Sequence, residues 1–183
     1  MTDFPVHTLE TAPQAARPAL SGLKAAFGFI PNIAGAMSTS PVLVSSLAAL
    51  FQNVHGGSFS ERQIQVLLLT NAVTNASEWP VAFHSDLALQ QGLSQADVDA
   101  VRDGRLPSEP GLAALSHLAR TLIETRGRLA QADIDGFLGA GFSREHLLEV
   151  IAVTAASTIT NYTGSVTRPP LEAPFDAHAW SRP

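Results

Sequence analysis

Signals that start and stop helices recur along the whole of this sequence, and no stretch alternates apolar and polar residues as a half-buried strand does. Ser40 before Pro41 is typical of a helix start, and so is Ser60 with Gln63 three residues later, which is a capping box. Gly28 follows an apolar stripe at the point where a helix would end. The pattern predicts an all-α fold.

One helix is expected at the centre of this fold. It begins after Ser60 and ends near Ala76, and its middle, residues 66–69, is apolar on every side. A helix of this kind has no face for solvent and should be fully buried. A second helix is predicted to start at Ser77 and end near residue 91, because Pro80 lies in its first turn, where it removes no helical hydrogen bond.

The rest of the chain repeats this pattern. Ser94 and Ser143 are predicted to cap further helices, and the Pro-rich segment 106–111 separates two helical halves that look similar. We therefore expect a single helical domain over residues 1–167. Residues 168–183 contain four prolines and are expected to form an extended tail over the surface or a neighbouring subunit.

Composition excludes several classes of function. The chain has no cysteine, which rules out disulfides, thiolate metal sites, iron–sulfur clusters and thiol nucleophiles. A net charge of -5 without any run of Lys or Arg argues against nucleic acid as a partner. No apolar run reaches the roughly 18 to 20 residues that span a bilayer, and the N-terminus lacks the apolar core of a signal peptide, so we expect a soluble, cytoplasmic protein without a membrane partner.

Polar side chains are concentrated within apolar sequence between Gln65 and His84, which makes this stretch the candidate site. Residues 75–84 read Asn-Ala-Ser-Glu-Trp-Pro-Val-Ala-Phe-His and are followed by Gly-Leu-Ser at 92–94. This segment resembles the signature of the carboxymuconolactone decarboxylase and alkylhydroperoxidase D superfamily, which reads Asn-Gly-Cys-x-x-Cys-x-x-x-His in redox members. Residues 27–32 with 40–41, and residues 141–161, are similar to further segments of that family.

The resemblance covers about residues 4–175. It implies an all-α alkylhydroperoxidase D-like fold and a homo-oligomer, commonly a trimer or hexamer. In redox members two cysteines, a histidine and a glutamate twelve positions before the first cysteine carry the reaction. In this sequence Ser77 and Pro80 stand at the positions of the two cysteines. His84 stands at the position of the histidine and Gln65 at that of the glutamate.

These departures exclude cysteine-dependent peroxidase activity. A serine hydroxyl is too weak an acid to be ionised by a helix dipole worth about 1 kcal/mol, and a glutamine cannot accept a relayed proton. A serine-hydrolase site is also disfavoured, because Ser77 and His84 would lie about 10.5 Å apart along one helix. No Gly-x-Ser-x-Gly motif is present, and Asp86 lies on a different helix face from His84.

The resemblance to decarboxylating members implies acid/base chemistry on a small organic acid or lactone, with His84 and Glu78 as catalytic residues. Histidine is suited to this because its ordinary pKa is near neutral, and amide or hydroxyl donors can hold the developing anion. No cofactor motif is present, and His146 with Glu149 forms at most half of a metal site, so neither cofactor nor metal is predicted. The pocket is predicted to be lined by Gln65, Asn71, Ser77 and Trp79.

A second hypothesis stays open, in which the chain has lost catalysis and serves as a small-molecule binding or scaffold protein. Each candidate residue has a structural explanation: Ser77 as a helix cap, Glu78 as a favourable charge at a helix start, and His84 as a hydrogen-bonded core residue. The remaining histidines are predicted to have no role in a site; they are His7, His55, His117 and His178.

Overall fold

A computed structural model describes residues 4–182, so the first three residues of the predicted domain and the last residue of the predicted tail lie outside it. Within this range the chain forms nine α-helices, two short 3-10 helices and no strand, which confirms the all-α prediction. None of these helices combines the length and the apolar character needed to cross a bilayer. The helices are α1 Arg17–Phe27, α2 Asn32–Met37, α3 Pro41–His55, α4 Glu61–Thr74, α5 Glu78–Gln90, α6 Gln95–Arg102, α7 Pro110–Glu124, α8 Gln131–Gly139 and α9 Arg144–Thr167.

Helix α4 lies at the centre, as predicted, and packs against α5, α7 and α9. Its nine consecutive residues from Ile64 to Ala72 are all buried. Each buried leucine in this run contributes roughly 1.5 to 3 kcal/mol relative to an exposed one. Three residues of this run are polar, and one of them, Thr70, donates a hydrogen bond to the Ser116 hydroxyl of α7 over 2.9 Å. The core is therefore built around α4.

The predicted helix starts are confirmed by their capping hydrogen bonds. The Leu43 amide donates to the Ser40 hydroxyl over 3.3 Å, and Ser60 and Gln63 form a complete capping box. Ser94 and Ser143 cap α6 and α9 in the same way. These contacts join residues three positions apart, which is why they can be found in the sequence.

Helix α2 was not predicted from the sequence. It is short, and all of its residues after Asn32 are buried. The N-terminal segment crosses it at Gly35, where a Cβ atom would lie 2.8 Å from Val6 and 2.9 Å from the His7 carbonyl oxygen. Burial against the rest of the chain, rather than local propensity, stabilises this helix.

The C-terminal segment differs from the extended tail that we expected. It contains a 3-10 helix, Ala173–His178, with the Phe175 side chain buried against the ring of Phe83, 5.2 Å away between centroids. The Glu172 carboxylate accepts hydrogen bonds from the Trp79 indole at 3.0 Å and from the Asn32 amide at 2.6 Å. The segment is therefore packed onto α5 and the start of α2.

Candidate functional site

The turn between α4 and α5 places the serine of the candidate motif. Ala76 adopts a left-handed conformation with φ of 51°, and Ser77 occupies the position before the first residue of α5. The Ser77 hydroxyl does not cap this helix; it donates to the Asn161 carbonyl oxygen of α9 over 2.9 Å. A Cβ atom at Gly164 would lie only 3.0 Å from that hydroxyl, so α5 and α9 meet closely here.

The expectation that the Ser77 side chain caps α5 is therefore wrong, although its position in the chain was predicted correctly. The hydroxyl joins two helices and is buried, with 1% of the residue exposed. Because its proton is committed to a carbonyl oxygen, it has neither the freedom nor an adjacent base that a nucleophile requires.

The centre of the site is a hydrogen bond between two buried side chains. Nδ1 of His84, on α5, lies 3.0 Å from Oε1 of Gln65, on α4. The exposed fractions of the two residues are 3% and 4%. An amide oxygen can only accept, so the proton is assigned to Nδ1 and Nε2 is the unprotonated nitrogen. Nε2 makes no hydrogen bond to any of residues 4–182.

Burial, with a smaller contribution from the nearby His55, lowers the pKa of His84 to about 3. The ring is consequently neutral at pH 7. The near-neutral pKa that made His84 a candidate for acid/base catalysis is that of a solvated imidazole, and burial removes it here. What the geometry leaves is an acceptor at Nε2.

Gln65 and His84 lie between two cavities of different size. His84 lines a small apolar cavity of about 30 Å³ with Trp79 and Phe83, which is room for about one water molecule. Gln65 lines a groove of about 850 Å³ formed by α1, α3, the start of α4 and the end of α5. We call this second space the α1–α3 groove. Of these two cavities, the groove is the one large enough for a small organic molecule.

Glu78 and Trp79 face a third cavity, of about 640 Å³, between the start of α5, the end of α9 and the C-terminal segment. Glu78 is exposed and lies six positions before His84 on α5, about 9 Å along the helix axis. Asn71 is fully buried, its amide has no partner within residues 4–182, and it lines none of the three cavities. The predicted pocket residues thus do not line one common pocket.

Two further groups of the α1–α3 groove were missed in the sequence. His55, the last residue of α3, has Nδ1 at 2.9 Å from both carboxylate oxygens of Glu61, the first residue of α4. The His55 ring also lies against the ring of Phe51, with 5.0 Å between centroids. The available signal was a histidine and a glutamate on either side of a short loop, which becomes meaningful only when the loop folds back on itself.

Among residues 4–182, no three His, Asp or Glu side chains come together as metal ligands. The two residues considered as half of a metal site have other partners. The His146 ring accepts a hydrogen bond from the Ser143 amide over 3.1 Å, and the Glu149 carboxylate accepts two from Ser58.

Comparison with known proteins identifies the fold. No protein-family model matches the sequence, and no curated protein is significantly similar to it. Among solved structures, the apo debrominase Bmp8 superposes with a TM-score of 0.80 at 18% identity, covering 97% of this chain and 96% of its own. The alkylhydroperoxidase AhpD core, an uncharacterized peroxidase-related protein from Ralstonia eutropha JMP134, superposes with a TM-score of 0.82 at 17% identity, covering 94% and 93%.

A cysteine-to-alanine variant of Bmp8 in complex with 2,3,4-tribromopyrrole is also similar, with a TM-score of 0.77, 18% identity and coverage of 97% and 95%. At these identities the likeness establishes the fold. It confirms the alkylhydroperoxidase D-like architecture that the motif at residues 75–84 indicated.

Proposed function

We propose that this chain, which has the alkylhydroperoxidase D-like fold but no cysteine, carries out acid/base chemistry on a small organic acid or lactone. The observation that supports this most directly is the buried Gln65–His84 pair. Its hydrogen bond orients the imidazole and leaves Nε2 unpartnered, while burial keeps the ring neutral. Gln65 also lines the groove of about 850 Å³, so this hydrogen bond joins a space that can hold a small molecule to the oriented acceptor that proton transfer requires.

The low pKa of His84 restricts the chemistry. A base this weak takes a proton efficiently only from an acidic group, because proton transfer is most effective when donor and acceptor pKa values are close. The choice of a small organic acid or lactone therefore comes from the resemblance of residues 75–84 to decarboxylating members of the superfamily, and not from the basicity of His84.

The fold supports binding of a small molecule at this scale. The Bmp8 variant holds 2,3,4-tribromopyrrole, a single substituted ring. The walls of the α1–α3 groove in the present chain are mostly apolar, and its polar groups are Gln52, His55, Glu61, Gln65, Gln90 and Gln91. Glu78 lies outside this groove, so we assign it to the start of α5, where a negative charge is favourable.

The experiment is a turnover screen of the purified protein with small lactones and β-keto acids, following CO2 release and ring opening. His84→Asn keeps a donor at the position of Nδ1 and removes the acceptor at Nε2. His117→Asn is the matched control, because His117 is exposed and lies beside Asp133 away from the groove. The proposal is supported if His84→Asn abolishes turnover and His117→Asn leaves it unchanged. It is refuted if His84→Asn turns over substrate as fast as the wild type does.

A non-catalytic binding or scaffold protein is the second candidate, and one observation favours it. The cavity at His84 holds about one water molecule, so a substrate reaches Nε2 only if the surrounding aromatic side chains move. If this candidate is correct, ligands of the screen bind with dissociation constants in the micromolar to millimolar range and no product forms with any of them.

We also propose that the chain is a homo-oligomer, a trimer or hexamer, that associates through α9. Large apolar side chains on this helix are exposed: Leu148 by 64%, Ile151 by 46%, Tyr162 by 61% and Val166 by 66%. Their spacing places them along one helix face, which a second copy would cover. Light scattering should show Tyr162→Glu dissociating the oligomer while Val42→Glu, at an exposed site on α3, does not; a monomeric wild type would contradict this.

A further inference from the structure

The α1–α3 groove contains a histidine–carboxylate pair that the proposed chemistry at His84 does not use. His55 is held by both oxygens of Glu61 at 2.9 Å, and its side chain is 28% exposed. Because Nδ1 is occupied by the carboxylate, Nε2 is the nitrogen that remains, and it makes no hydrogen bond to any of residues 4–182. A carboxylate in this position orients the ring and stabilises the imidazolium that forms when Nε2 takes a proton.

The groove also contains an unused donor. Gln65 lies one helical turn after Glu61 on α4 and lines the groove, although only 4% of it is exposed. Its Oε1 accepts from His84, which directs its amide nitrogen elsewhere. Within residues 4–182 that amide nitrogen has no acceptor. The Gln65 amide nitrogen is not one of the fully buried polar atoms that lack a partner, so a ligand oxygen in the groove would replace water as its acceptor.

The charges around the groove select among ligands. Glu61 is negatively charged, and no Lys or Arg lines the groove. A carboxylate ligand would therefore meet a like charge and find no permanent cation to pair with. The rest of the lining is uncharged: it combines apolar side chains, with Leu23, Phe27, Phe51 and Leu87 among them, and the neutral amides of Gln52, Gln90 and Gln91. A neutral, largely apolar molecule with one carbonyl oxygen fits these groups best.

We propose that the α1–α3 groove binds a neutral lactone and that His55, oriented by Glu61, is the base that removes a proton from the carbon next to its carbonyl group. This inference rests on the proposed acid/base function and chooses the lactone over the organic acid. The C–H bond breaks and an N–H bond forms at Nε2 of His55. The electron pair moves to the carbonyl oxygen, where the Gln65 amide donates to the enolate. Return of the proton to carbon completes the step without oxidant or reductant.

The test uses α-angelica lactone, a neutral five-membered unsaturated lactone, and levulinate, the carboxylate formed when its ring opens. In D2O, exchange of the ring protons reports proton removal even where no product accumulates, and NMR follows it directly. We expect the wild-type protein to accelerate exchange over buffer and the lactone to shift the Gln65 side-chain amide signal. Levulinate should bind at least about tenfold more weakly.

Three variants locate the base. His55→Gln should slow exchange by about a hundredfold or more, the usual contribution of a general base, and Glu61→Gln should slow it less. His117→Gln is the control, since it also removes an exposed histidine beside a carboxylate but lies outside the groove. Circular dichroism should show that all three retain the wild-type helix content, because each replaced side chain is partly exposed.

The outcomes separate this inference from the proposed function. If His84→Asn abolishes exchange and His55→Gln does not, acid/base chemistry at His84 stands and the assignment of His55 is overturned. If His55→Gln abolishes exchange and His84→Asn does not, the inference stands and the role of His84 fails. Equal binding of levulinate and lactone overturns the neutral ligand. A Gln65 amide signal that shifts with protein concentration, and not with lactone, shows that a second copy fills the groove and overturns the inference.

Discussion

The buried, neutral state of His84 should make the stability of the protein depend on pH in a way that one substitution removes. With a pKa of about 3 in the folded protein and about 6.5 in the unfolded chain, the unfolded state binds more protons than the folded state between these values. The free energy of unfolding therefore decreases as pH falls through 6.5, and this decrease levels off near pH 3. Above pH 7 the residue contributes no pH dependence.

The size of the effect follows from the two pKa values. At one pKa unit per 1.36 kcal/mol, lowering the pH from 7 to 4.5 should reduce the free energy of unfolding by about 2.5 kcal/mol through His84 alone. His84→Asn lacks the titrating ring and keeps a donor toward Gln65. The difference in stability between wild type and this variant should therefore shrink by about 2.5 kcal/mol over the same range, because other titrating groups are common to both proteins.

The assay is urea unfolding of both proteins at pH 7.0, 6.0, 5.0 and 4.5, with the slope against urea checked to be constant. His117→Asn serves as control, since this histidine is 54% exposed and its removal should not reproduce the effect. A difference between wild type and His84→Asn that stays within about 0.5 kcal/mol across the series would refute the reasoning, because a ring that titrates normally in the folded protein contributes no such dependence.

Three further outcomes are expected. Gln65→Glu places a carboxylate 3.0 Å from Nδ1 of His84 and should raise the pKa of that histidine, as measured by NMR titration of the ring; an unchanged pKa would contradict the geometry of the pair. Gly35→Ala should lower the free energy of unfolding by about 1 to 3 kcal/mol, because its Cβ atom would meet the crossing segment at 2.8 to 2.9 Å, whereas Gly22→Ala in α1, with nothing within 4 Å, should raise it by up to about 1 kcal/mol. Urea unfolding that ranks these two variants the other way would disprove this packing. Ala76→Gly should stabilise the protein by up to about 1 kcal/mol by relieving a left-handed conformation with φ of 51°, and a loss of stability would show that this turn is not strained.

The chemistry open to this protein is restricted both by its residue types and by its tertiary structure. Absence of cysteine excludes a thiol mechanism whatever the fold, and this could be concluded from residue types alone. The low pKa of His84 could not be concluded from the sequence, because the pKa of an imidazole depends on how much water surrounds it. Helices α4 and α5 and their neighbours exclude that water only when they are packed together. The side-chain hydroxyl of Ser77 shows the same limit: its position before α5 was predictable, while its bond to Asn161 of α9 was not.

The sequence by itself determined the helical class, most helix starts and the central position of α4, because these depend on residues within about four positions of each other and on apolar character averaged around a helix. The sequence also indicated the stretch from Gln65 to His84 as the candidate site. Only the tertiary structure decided which cavity each of those side chains faces and brought His55 against Glu61 at the groove. Cavities and ion pairs are made by residues from separate helices, and their positions in space follow from packing rather than from spacing along the chain.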